Sequence, residues 1–194
     1  MVHLVRHAVH DRVGSTLVGR MAEVRLGAEG RAQAERLATR LANEGVVVVQ
    51  SSPRERALET AAPIAAQLGS EVEIAEGLDE IDFGAWTGRR FAELDGDPAW
   101  AAWNAERATA PTPGGETMAE AQARITGHIA ALRARLGARA AVLVSHADMI
   151  KAAVAHILGL PLGAIHRFEI APASITTLRL DEGGGTLVRL NEAV

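Results

Sequence analysis

Three short polar clusters in this chain each follow a run of apolar residues. Val2-His3-Leu4-Val5 runs into Arg6-His7, Val46 to Gln50 runs into Ser51-Ser52-Pro53-Arg54-Glu55-Arg56, and Ala141 to Val144 runs into Ser145-His146. Together they offer two or three guanidinium groups, two imidazoles and several serine hydroxyls. In open α/β sheets ligands bind beyond the carboxyl ends of the strands, so three such clusters could converge on one site. Two of them also open a helix, whose free N–H groups favour an anion. Guanidinium groups suit the oxygens of phosphate, and a neutral imidazole is a competent nucleophile towards phosphorus.

Each cluster alone has an ordinary reading. An Arg-His pair at a strand end is commonly structural, Arg56 could be a solvated helix residue paired with Glu55 or Glu59, and His146 could cap or pack. Their coincidence at three strand ends carries the chemistry.

The elements that must position these residues follow from periodicity. Apolar runs alternate with longer amphipathic stretches, which is the pattern of an α/β fold. In the stretch from Gly27 to Gly45, Ala34, Leu37, Ala38 and Leu41 recur at helical spacing, and Gly45 is the expected stop. Val46 to Gln50 lacks polar alternation and predicts a strand covered on both faces, hence a parallel sheet. The next helix should take a serine as cap with Pro53 near its first turn, and Pro63 should kink or end it. Glu71 to Ala75 reads as a strand, Glu116 to Gly137 as a long helix, Ala140 to Ser145 as a buried strand and Ala147 to Leu160 as the helix after it. From His166 onward short antiparallel strands are expected, with a glycine turn at 183–185. No internal repeat or low-complexity linker interrupts the pattern.

In their order along the chain, LVRHAVHD, LGAEGRAQA, SSPRERALETA, LDEIDFGAWTG, PGGET and VLVSHADMIKA resemble the motifs of the histidine phosphatase superfamily. This group includes the cofactor-dependent phosphoglycerate mutases, and the likeness, to its mutase-like branch 1, spans Val2 to Leu180. The resemblance implies a three-layer α/β/α sandwich around a mostly parallel central sheet. Length favours one domain over residues 1–194, and from Ile81 to Glu116 the pattern loosens into Gly, Trp and Pro with two short helical pieces, read as a small helical insertion over the site, a partial lid. The resemblance also implies a phosphohistidine mechanism with no metal and no cofactor. His7 matches the nucleophile, Arg6, Arg56 and His146 match the phosphate pocket, and Glu80 matches the proton donor, so these five form the expected catalytic set. The expected substrate-binding set is Arg6, Arg56, His146, Ala147, His10 and Arg20. Arg12, Arg89 and Arg90 are further candidates for a second anionic group.

Ala8, Val9 and His10 stand where the family usually has glycine, an acidic residue and threonine, and Ala147 replaces the glycine after the second histidine. Asp148 then brings a negative charge near an anion pocket. His7 and His10 lie three apart beside Asp11, which raises a metal site, but no third ligand is evident and none is expected. Trp86, Trp100 and Trp103 all fall in the insertion. Trp100 and Trp103, sharing a helix face, are expected to fill a small satellite core.

Composition excludes other classes. The 194 residues are 48% apolar and 23% charged, the balance of one folded domain. A net charge of −4 without basic, aromatic-rich segments argues against a nucleic-acid partner. With no cysteine, no export signal and no apolar run of about 18 residues, the expectation is a cytoplasmic protein without membrane association. The expected partner is a small phosphorylated metabolite, and a homodimer stays open. The expected activity is phosphomonoester hydrolysis. A phosphomutase, a noncatalytic phosphate-binding module and a protein phosphatase are the rivals, the last disfavoured by the insertion.

Overall fold

A computed structural model describes residues 1–181 and 184–194. The strands are β1 (Val2–Arg6), β2 (Val46–Ser51), β3 (Val72–Ile74), β4 (Ala140–Ser145), β5 (Ile175–Asp181) and β6 (Gly184–Glu192). They form one six-stranded sheet in the order β3-β2-β4-β1-β5-β6. The first four in that order run parallel, and β5 and β6 are antiparallel to their neighbours. The helices are α1 (Ala28–Leu41), α2 (Glu55–Gln67), α3 (Phe91–Leu94), α4 (Pro98–Ala105), α5 (Met118–Leu136) and α6 (Ala147–Leu158).

Strand alternation divides the core into two sides. Leu4, Ala141 and Leu143 pack with Ile125, Ile129 and Val154 of α5 and α6. Val5, Val142 and Val144 pack with Leu37, Leu41, Ala61 and Ile64 of α1 and α2. The result is three layers, as expected. Because β1, β2 and β4 are parallel and pair Arg6 with Ser145 and Ser51 with Val144, their carboxyl ends share one edge of the sheet.

Several local expectations are corrected. Only the second half of β2 is buried, and Val47 is 46% exposed, because β3 is three residues long and pairs no earlier than Val49. The residue at the N-cap of α2 is Arg54, which has no side-chain cap, while Ser52 and Pro53 precede the helix. Pro63 lies inside α2, which runs on to Gln67; proline costs a helix one hydrogen bond, and burial of Ile64 and Ala65 retains the turn that follows it. Helix α1 ends at Leu41, before Gly45. His166–Ser174 is not strand. A 3₁₀ turn occupies Leu162–Arg167, and Ala171 and Ala173 spend their N–H groups on Asn191 and on the carbonyls of Arg6 and His7. In the expected turn, Gly183 lies outside the described residues. Among those described, no helix is long and apolar enough to cross a membrane.

The insertion holds α3, α4 and a 3₁₀ turn at Gly84–Trp86. Backbone bonds tie it to the loop after β1, with Leu17 N–H to Arg89 O at 2.9 Å and Phe91 N–H to Ser15 O at 3.1 Å. Its far end is fixed by close backbone contact, since a Cβ at Gly115 would stand 2.1 Å from the Asp82 carbonyl. The tryptophans are no satellite core. Trp86 and Trp103, both buried, are continuous with the cluster containing Leu4 and Leu143. Trp103 meets Phe83 and Trp86 edge-on at 6.2 and 6.4 Å. Trp103→Ala should therefore destabilise the protein by about 3–5 kcal/mol in denaturant unfolding, the scale of emptying a large core site. A loss under 1 kcal/mol, against that roughly 3–5 kcal/mol scale, would show that the insertion packs independently.

Candidate active site

His7 leaves the sheet directly after β1. Its N–H still bonds the Ser145 carbonyl at 3.0 Å, but the next N–H, of Ala8, turns to Thr60 Oγ1 on α2 at 3.0 Å. Val9 N–H then reaches Gln33 Oε1 of α1 at 2.9 Å. The His7 Nδ1 lies 2.9 Å from the Ala8 carbonyl. A carbonyl only accepts, so the neutral ring carries its proton on Nδ1 and keeps a lone pair on Nε2. Burial, reinforced by the Arg56 and Arg6 charges, holds the His7 pKa well below that of an ordinary histidine. The ring is therefore neutral and nucleophilic at physiological pH.

Arg56, fully buried in the first turn of α2, donates from Nη2 to the Gly19 carbonyl at 2.7 Å and to His146 Nδ1 at 3.2 Å. Its Nε and Nη1 are buried without a partner among the described residues. Arg6 donates from Nη1 to the Ile170 carbonyl at 2.6 Å, and its buried Nε is likewise unpartnered. The His146 ring, fully buried at the start of α6, lies 5.2 Å from the His7 ring. Its pKa is also held well below the ordinary value, first by burial and then by Arg56. Leaving guanidinium N–H groups buried and unpaired is costly unless an anion takes them.

Glu80 points its Oε2 to within 3.7 Å of His146 Nδ1, while its Oε1 accepts from Ile81 N–H at 3.0 Å. Burial and then Asp148 raise its pKa to about 7, against the opposing pull of Arg56 and Arg6. At neutral pH this carboxyl can both give and take a proton. Its loop is clamped by Arg124 of α5, which binds Glu116 through Nε and Nη2 at 2.8 Å each and donates to the Asp79 and Glu80 carbonyls.

Arg20 is not brought into the anion pocket. Its Nε donates to the Glu80 carbonyl at 2.8 Å, and its head lies 3.4 Å from Asp79, 3.7 Å from Asp82 and 3.2 Å from Glu116. Three carboxylates consume its charge, and it supports the Glu80 loop. Arg89 is paired with Asp97 and Arg90 with Glu93, both within the insertion. Arg12 donates to Met21 Sδ at the surface.

A cleft of about 150 Å³ opens over this group and is lined by Arg6, His7, His10, Glu80, Ala147 and Asp148. Phe83 and Phe91 of the insertion close one side. His10 stacks on His7 with centroids 5.3 Å apart, and its Nδ1 accepts from Arg12 N–H at 3.2 Å. Burial, then Arg56 and Arg6, lower its pKa to about 4, so His10 meets a ligand as a neutral ring with Nε2–H to donate. Asp148 is bridged at 3.0 Å by Arg107, whose guanidinium also binds Asn104 and lies over Trp103, 5.2 Å from the ring centroid. No local pattern singles out Arg107, which is separated from Asp148 by the whole of α5 and β4. No cluster of three or more His, Asp or Glu side chains suited to a metal occurs among the described residues.

A neutral histidine with a bare ring nitrogen, the buried Arg56 and half-buried Arg6 guanidinium groups, and a carboxyl of raised pKa thus meet at the carboxyl edge of the parallel strands, an arrangement suited to phosphoryl transfer. The family model of the histidine phosphatase superfamily (branch 1) matches residues 2–193, and the chain belongs to this family. It is 31% identical to phosphoserine phosphatase 1 of Hydrogenobacter thermophilus, over 97% of this chain and 90% of that one. Glucosyl-3-phosphoglycerate phosphatase of Mycobacterium tuberculosis is 33% identical, over 82% and 75%. A mutant phosphoserine phosphatase from Entamoeba histolytica, solved with phosphoserine, superposes with a TM-score of 0.88 at 27% identity, covering 98% of this chain and 95% of that one. The chain is a histidine phosphatase, a hydrolase of phosphomonoesters.

Proposed function

We propose that this protein hydrolyses small phosphorylated metabolites, without a metal, through a phosphohistidine on His7. The observation that carries the reading is the set of three buried, unpartnered N–H groups, Nε of Arg6 with Nε and Nη1 of Arg56, beside the bare Nε2 of His7. Phosphate oxygens satisfy those donors and place phosphorus against the lone pair. Positioning and charge stabilisation then do most of the catalytic work. His7 Nε2 forms the bond to phosphorus as the ester oxygen departs, and Glu80 gives that oxygen its proton. Glu80, now a carboxylate, removes a proton from the water that splits phosphohistidine and frees His7.

The small cleft and the insertion over it, read here as a partial lid, favour a metabolite over a phosphoprotein. Relatives named for phosphoserine and glucosyl-3-phosphoglycerate support substrates of this size. His10 Nε2–H and Asp148 face the leaving group and suit one bearing hydroxyl or amino groups. We further place the protein in the cytoplasm, in keeping with a chain that lacks cysteine.

Phosphate release should be measured with EDTA present from p-nitrophenyl phosphate, phosphoserine, 3-phosphoglycerate, sugar monophosphates and a phosphopeptide. Release from one or more metabolites, with the phosphopeptide spared, is the expected outcome. Release only from the phosphopeptide would overturn the metabolite reading. Movement of phosphate between hydroxyls without release would make the protein a mutase.

A further inference from the structure

The hydrogen bonds around His146 settle which of its nitrogens carries the proton. Ser52, immediately after β2 and fully buried, donates its hydroxyl proton to Asp79 Oδ1 at 3.1 Å, because a carboxylate only accepts. The Ser52 oxygen must then accept from its other partners, Arg54 N–H at 3.3 Å and His146 Nε2 at 2.8 Å. The proton of neutral His146 is therefore on Nε2. The opposite side of the ring gives the same answer independently. Arg56 only donates, so His146 Nδ1, 3.2 Å from Arg56 Nη2, carries a lone pair.

Asp79 is itself held firmly. It is buried, its Oδ1 accepts from Glu80 N–H at 2.8 Å and pairs with Arg54 Nε at 2.9 Å, and its Oδ2 lies 3.4 Å from Arg20 Nε. One carboxylate thus fixes the backbone of Glu80 and, through Ser52, the ring of His146.

We propose that Ser52 and Asp79 are positioning residues that hold the proton of His146 on Nε2, so that its Nδ1 lone pair accepts from Arg56 and anchors the guanidinium whose remaining N–H groups meet the phosphate. The proposal rests on the hydrolase reading of the site and adds the role of this chain of groups. With the opposite tautomer, Nδ1–H would meet the guanidinium of Arg56 donor to donor, and that anchor would be lost.

The test begins on the wild-type protein, where long-range ¹⁵N–¹H spectra of the histidine rings report the tautomer directly. The assignment comes from the signal lost in His146→Asn. Expected is a neutral His146 protonated at Nε2; protonation at Nδ1 overturns the proposal, and this arm needs no activity at all. Ser52→Ala and Asp79→Asn should each lower kcat about 10 to 100-fold, the usual cost of losing an outer partner of a functional imidazole, with KM changed less. Both should mix or reverse the tautomer. Because both substitutions interrupt one chain, the double variant should lose no more than the worse single one. Losses that multiply, or lost activity with the tautomer unchanged, would reduce Ser52 and Asp79 to structural supports and overturn the role. If Asp79→Asn fails to fold, the wild-type spectra and Ser52→Ala still decide. If no monoester is hydrolysed by wild type, the hydrolase reading falls while the spectra still judge the tautomer.

Discussion

His7→Ala is expected to lower phosphate release about 10,000 to 1,000,000-fold, the scale of removing a nucleophile whose partners remain. The size of the loss follows from the geometry. His7 is the ring with a bare nitrogen beside the unpartnered N–H groups of Arg6 and Arg56. His10 stacks on it at 5.3 Å, but its Nδ1 is occupied by Arg12 N–H, and its remaining nitrogen is the protonated one in the neutral ring. His146 has its lone pair between Arg56 and Glu80. Neither can take over attack. The variant should still bind phosphate or vanadate, because both arginines remain anchored through carbonyls of Gly19 and Ile170. Measurement of release and of acid-labile phosphoenzyme, in parallel with vanadate binding, separates the two functions. A variant that keeps activity sinks the phosphohistidine mechanism; one that loses both activity and anion binding shows that His7 serves mainly to build the pocket.

The legibility of this site in the sequence differs from residue to residue. Arg6, His7, Arg56 and His146 were visible because each sits within a few residues of the end of an apolar run, and parallel strands deliver such ends to one edge. The alternation of β4 between two cores, and the spacing of Leu37 and Leu41 in α1, likewise follow from local pattern. What could not be read is the pairing of charges between distant segments. Arg20 lies in the loop after β1 and Arg107 in the insertion, and neither stands near its partners in sequence. Only the folded chain shows that one is spent on Asp79, Asp82 and Glu116 while the other meets Asp148. The role of Asp79 is hidden for the same reason, since its side-chain partners include Arg20 from the loop after β1 and Ser52 and Arg54 from the turn after β2. Pro63 and Val47 mislead because helix continuation and strand coverage depend on neighbours that local sequence does not contain.

The Arg107–Asp148 contact also changes how the departures from the family pattern are understood. A bare carboxylate two residues after His146 would repel a phosphate at the cleft. With Arg107 bound to one oxygen, much of that charge is neutralised, while the residual field still acts on Glu80. The insertion therefore contributes to the chemistry through an arginine that does not line the cleft.

Glu80→Gln is expected to lower kcat/KM for alkyl phosphates about 100 to 10,000-fold, the range spanned by general acids. The loss should be much smaller for p-nitrophenyl phosphate, whose leaving group departs without a proton; equal losses on both substrates would deny Glu80 the role of acid. The pH dependence gives a second check. The carboxyl must be protonated for the first transfer and titrates at about 7, so wild-type kcat/KM for an alkyl ester should fall as pH rises above that value. His7 stays neutral to well below its ordinary range and does not limit the acid side near pH 6. In Glu80→Gln the limb near 7 should vanish. The same proton affects stability. The carboxyl titrates at about 7 in the folded protein against an ordinary 4.5, so the folded state holds the proton more tightly. That contribution is complete below about pH 4.5 and is lost as pH rises through 7, amounting to about 3 kcal/mol by pH 8. Glutamine carries no such penalty. The variant should therefore be more stable than wild type in denaturant unfolding at pH 8 and nearly equal at pH 4.5, an opposite change in stability and activity that a simple loss of packing cannot produce.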